Sequence, residues 1–66
     1  MEEIEIWRAA NQLLARYGEG AAREAAQRSD SAYKAGDLFN FNVWTRITTA
    51  VEQLQRKDRA PGEFSN

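Results

Sequence analysis

The chain has 66 residues with neither histidine nor cysteine, and its 10 acids against 9 bases leave a net charge of −1. These absences remove the commonest general base and metal ligand, the thiolate nucleophile, the structural zinc site and the disulfide, and near-neutrality lacks the basic field of a typical nucleic-acid binder. What remains is one small domain burying about 60% of the surface its unfolded form would expose, so a well-packed helical monomer, self-association or a bound partner must supply its stability.

Three acids, Glu2, Glu3 and Glu5, crowd the N-terminus, where they suit the dipole of a following helix. From Ile6 to Lys57 eight bases face five acids, so the body is mildly positive. No apolar run is long enough to span a membrane and no signal-peptide pattern is present, so a soluble cytoplasmic protein is the expectation.

From Glu3 to Tyr17 the residues Ile6, Trp7, Ala10, Leu13, Leu14 and Tyr17 recur at three- and four-residue steps, which predicts an amphipathic helix. Gly18 is its expected left-handed stop, and Gly18-Glu19-Gly20 a short hinge. The second helix is predicted over Ala21 to Ala35, with an inward stripe of Ala22, Ala25, Ala26, Ser29, Ala32 and Tyr33. Its small residues allow close approach to the neighbouring helices. Glu19 with Arg23 and Glu24 with Arg28 have the spacing of an acid-before-base pair on one helical face.

Gly36 reads as the next stop and Asp37 as a turn or cap residue. The third helix is predicted from about Asn40, or slightly earlier, to Arg56, on the stripe Val43, Trp44, Ile47, Ala50, Val51 and Leu54. Either Asn40 caps it, with Phe39 and Trp44 as a hydrophobic staple, or Asp37 caps it and the phenylalanines join the first turn. Pro61 and Gly62 should break any helix, making residues 57–66 a flexible tail. Short glycine-containing turns force neighbouring helices antiparallel, so the expected fold is all-α, a compact antiparallel three-helix domain over residues 1–56.

Chemistry finds little to work with. Asp30 and Asp37 lack a nucleophile or a second titratable group set against them, and general acid–base work needs such pairs. Glu2, Glu3 and Glu5 lack the alternating oxygen spacing and loop glycine of a calcium loop. The chain is therefore expected to be non-catalytic, without metal or cofactor. A helix-turn-helix reader would need a polar outer row free of acids. The row Arg23, Gln27, Asp30, Lys34 fails that requirement, whereas Thr45, Arg46, Thr49, Gln53 and Arg56 meet it, although a plain solvated face is the better account of the latter.

Leu38, Phe39 and Phe41 are harder to place inside. Phased on Trp44, both phenylalanines fall on the flanks of the third stripe and Leu38 points further away, beside the polar Asn40 and Asn42. Such a patch is either a contact site or a lid closing the end of the core. Phe64, further along, is idle or a short anchor for a partner.

The pieces Tyr17-Gly18, Ala21-Ala22 with Ala25-Ala26, Gly36-Asp37-Leu38 and Val43-Trp44-Thr45-Arg46-Ile47 together resemble a group of short, all-helical bacterial proteins of unknown function. Phe39 and Phe41 depart from that group, whose turn tends to be polar. The resemblance implies a helical fold and a bacterial origin, and no activity. On these grounds the chain is expected to bind another protein or itself as a homodimer, as a regulator or inhibitor acting by surface occupation, through Leu38, Phe39 and Phe41 with Arg46 as a polar neighbour. Nucleic-acid binding by the outer face of the third helix is the alternative.

Overall fold

The computed structural model describes residues 2–64, with side-chain surroundings for residues 2–56. The protein is all-α: helix α1 spans Glu3–Tyr17, a 3-10 turn covers Gly18–Gly20, α2 spans Ala21–Lys34 and α3 spans Leu38–Phe64. No open loop separates the first two helices. Ala21 (φ −63°, ψ −41°) is helical, Tyr17 (φ −112°, ψ −7°) and Gly20 (φ −85°, ψ 3°) lie in the bridge region bordering the helix, and Gly18 alone takes a positive φ, at φ 56° and ψ −125°. Its N–H still donates to the Leu14 carbonyl, and its own carbonyl accepts from the Ala21 N–H. The three separate helices expected from the sequence are therefore two bodies: one rod bent at a single glycine, and α3. The hinge residues keep helical hydrogen bonding through the bend, which a pattern of glycines does not disclose.

The second glycine stop has the expected form. Gly36 takes φ 77°, its N–H donates to the Tyr33 carbonyl at 3.0 Å, and the Asp37 N–H reaches back to the Ala32 carbonyl at 2.9 Å. This is the double hydrogen bond of a Schellman ending, which requires a left-handed residue where Gly36 stands. Asp37 then caps α3: its Oδ1 accepts from the Asn40 N–H at 3.2 Å and its Oδ2 from the Asn40 side-chain amide at 2.7 Å. Of the two cap candidates it is thus Asp37, and Leu38 and Phe39 join the first turn. The tight connection reverses the chain. Tyr33 and Ser29 lie by Phe41, while Gly18, before α2, lies by Gln55, so α2 and α3 run antiparallel.

The core is a single cluster of Ile6, Ala10 and Leu13 from α1, Ala21 and Ala25 from α2, and Val43, Ile47, Ala50 and Val51 from α3. Trp7, Leu14, Trp44 and Leu54 pack on it half-buried. The stripes of α1 and α3 match their periodicity except at Tyr17, expected inward and found exposed at the end of α1. On α2 the buried line is Ala21, Ala25 and Ser29, whereas Ala26 and Tyr33 face solvent. Both were expected inward. The entry from the 3-10 turn brings Ala21 under the bend, which turns the buried line by roughly 40° relative to a stripe starting at Ala22.

Ser29 is the one buried polar residue among those described, and its hydroxyl is paired at 3.0 Å with that of Thr45, which donates to the Phe41 carbonyl at 2.8 Å. A buried hydroxyl without a partner would cost about 1–3 kcal/mol. Arg28 ties the ends together: its Nε donates to Glu24 at 2.9 Å, Nη2 reaches the Tyr17 hydroxyl at 3.3 Å, and the guanidinium lies 5.1 Å from the Trp44 ring centroid. It is half-buried, and its pair with Glu24 is the one the spacing predicts. The Glu19–Arg23 pair is not formed among the described residues, because Glu19 belongs to the 3-10 turn, and Asp30 pairs with Lys34 at 3.1 Å instead.

α3 runs to Phe64, past the expected end at Arg56 and through Pro61. Proline forfeits the hydrogen bond to the fourth residue before it but has a helical φ, so the backbone need not leave the helix there. The side chains of the predicted tail, Phe64 included, and residues 65 and 66 altogether, lie outside the described residues. No described helix is long and apolar enough to cross a membrane.

Candidate functional site

Leu38 and Phe39 begin α3, and both stand in solvent, 60% and 68% exposed. The cause is geometric. α1 meets α3 along Thr45 to Gln53, where Glu3, Ile6 and Trp7 face it, so the first turn of α3 projects beyond the start of α1. That turn is nevertheless held in place: the Asp37 cap fixes its backbone and the Phe41 N–H donates to the Asp37 carbonyl at 2.9 Å. Hydrogen bonds from the Asn40 side chain, and then from its backbone N–H, hold the Asp37 carboxyl below its usual range. The exposed pair therefore sits on an ordered helix end.

Phe41 is half-buried and turns to the other flank, where its ring lies 5.3 Å from Tyr33 at an interplanar angle of 53°. At 100° per residue, positions 39 and 41 are about 200° apart around the helix, and the structure puts them on opposite sides. Arg46 is two turns after Phe39 on the same flank and lines an open groove between α1 and α3 with Glu3, Ile6, Trp7, Thr49 and Gln53. The four residues expected to form one surface are thus brought together only in part. Leu38 and Phe39 are neighbours; Phe41 joins Tyr33 on the α2 side; Arg46 belongs to the α1 groove.

Among the described residues three exposed large apolar side chains are missing from the sequence-derived site, the least exposed being Tyr17 at the end of α1. Tyr33, 60% exposed, stands at the end of α2 beside Phe41, and Ile4, 61% exposed, lies one turn before Trp7 on α1. Ile4 was legible: it precedes the first residue of the stripe and has no counterpart on the expected inner face. Tyr33 was not, because a tyrosine at an apolar helical position is ordinarily inside.

The row Thr45, Arg46, Thr49, Gln53 is exposed and lines one wall of an open groove opposite an acid, Glu3. Its hydroxyls are engaged locally: Thr45 donates to the Phe41 carbonyl and Thr49 to the Thr45 carbonyl at 3.2 Å. Among the described residues no three acidic side chains converge as ligands for a metal ion. The chain matches no protein-family model, no curated protein and no solved structure.

Proposed function

We propose that this is a non-catalytic protein-interaction module whose contact surface is the exposed first turn of α3, centred on Leu38 and Phe39. The observation that carries the reading is the pair of large apolar side chains, each more than half exposed, on a helix end ordered by a carboxylate cap. Exposed aromatic anchors on rigid backbone lose little conformational entropy on binding and are favoured at the centres of interfaces. A small regulator or inhibitor acting by occupying a surface fits this description, and the resemblance to short bacterial helical proteins makes a bacterial cell the setting for the test. Binding of nucleic acid by the α3 row has less support, since the acid Glu3 faces it.

The experiment is photo-cross-linking in bacterial cells from a benzoyl-phenylalanine at position 39, with the same group at the exposed Glu52 as control. A discrete protein adduct from position 39 and none from position 52 supports the reading. No adduct from position 39, or identical adducts from both, overturns it.

A further inference from the structure

Between Glu3 and Lys34, Gly18 is the one residue with a positive φ; Tyr17 before it and Gly20 after it keep negative φ with ψ near zero, one modest rotation from helical values, and Ala21 is already helical. The bend that folds α1 onto α3 thus turns chiefly on Gly18, the one position where φ would have to change sign. We propose that Gly18 is the hinge of an exchange of α1 between two copies of this chain. With Gly18 in helical dihedrals, residues 3–34 become one straight helix, and Ile6, Ala10 and Leu13 leave their own α3 for the α3 of the second copy.

Three observations support it. First, the face that α1 exposes on opening is complementary to α3 of any copy, because it is the face already buried against Ile47, Ala50 and Val51 in the same core; such exchange is a low-cost route to a dimer where the hinge is short. Second, on a straight helix at 3.6 residues per turn the stripe Ile6, Ala10, Leu13 and the stripe Ala21, Ala25, Ser29 lie roughly a quarter-turn apart. One helix can therefore present them to two different α3 helices at once. Third, the bend has a latch: the Gln55 amide on α3 donates to the Gly18 carbonyl at 3.3 Å, and that carbonyl would turn to the Ala22 N–H in a straight helix.

A Cβ at position 18 meets no atom within 4 Å, and the same is true at position 20, where φ is −85°. Alanine at 18 therefore penalises only the bent backbone, and it also favours the straight helix over glycine. Counted in both copies, Gly18→Ala should raise the association constant by on the order of a thousandfold. Gly20→Ala should change it far less, since φ at position 20 is negative, and open to any residue, in both forms. A D-alanine at 18, introduced by chemical synthesis, suits φ 56° and should hold the chain as a bent monomer.

The test is light scattering over a dilution series on wild type and these three variants, with circular dichroism and isotope-filtered NOEs in mixtures of labelled and unlabelled chains. The expected result is a dimer for Gly18→Ala with helicity kept, interchain NOEs from Leu13 to Val51, and a dimer fraction in wild type that grows only at high concentration. A monomeric Gly18→Ala chain, folded or unfolded, overturns the proposal. So does a dimer without those NOEs, or a dimer of equal strength from Gly20→Ala or from the D-alanine chain. The exchange leaves Leu38 and Phe39 where they are, so it stands apart from whatever that end of the molecule binds.

Discussion

Replacing Phe39 with serine separates a contact residue from a lid of the core. Phe39 is 68% exposed, so about a third of its surface is covered in the folded chain. Full burial of such a side chain contributes about 1.5–3 kcal/mol, and a third of that is about 0.5–1 kcal/mol. Serine and phenylalanine have similar helix propensities, so no further backbone cost is expected. A domain of this size melts about 4–8 °C lower per kcal/mol lost, which puts the Phe39→Ser decrease at a few degrees, with a cooperative transition and unchanged helicity. Ile47, 2% exposed at the centre of the cluster, sets the contrast. Thermal melts by circular dichroism, with Ile47→Ala measured alongside, give the comparison. Loss of the cooperative transition in Phe39→Ser would refute the reasoning, because the side chain would then be holding the core closed.

The Ile47→Ala change should cost about 2–5 kcal/mol against the 3–5 kcal/mol or so that a core of this size supplies, so that chain should be largely unfolded at 25 °C, while Ile47→Val should melt as a folded protein. Gly36→Ala meets open space but requires an alanine at φ 77°, which costs about 1–2 kcal/mol; a melting temperature equal to wild type would contradict the left-handed ending. Asp37→Ala should speed amide exchange at Asn40 and Phe41, with Asp37→Asn retaining most of the protection, since asparagine also caps helices. Because the folded Asp37 carboxyl titrates below its ordinary value of 3.8, its contribution is fully present above that value and is lost as pH falls through the lower folded one. Exchange protection of the first turn of α3 should therefore drop in that acid window, and the drop should vanish in Asp37→Ala.

The helical content, the inner stripes of α1 and α3 and the Gly36 ending were legible because periodicity and the left-handed preference of glycine are local properties. The Gly18–Gly20 segment was not, because two glycines permit an open turn and a 3-10 link equally, and which one forms depends on how Leu13 and Ala21 share the core. The phase of α2 followed from that link: its stripe of alanines fits several rotations, and the entry through Ala21 selects one. Phe39 and Phe41 were correctly placed on the flanks of α3, but periodicity alone could not say that α2 covers one flank while α1 begins too late to cover the other. Arg46 was read as a neighbour of the aromatic corner from proximity in sequence, and two helical turns carry it to the groove beside Trp7.

The most direct test of the interaction surface is affinity capture from bacterial lysate with wild type and the Leu38→Ser, Phe39→Ser double variant as parallel baits, each first shown to be folded. The account predicts a stoichiometric protein retained by wild type and lost from the variant. A wild-type bait that retains no such protein, or one that the folded variant retains equally, would contradict it.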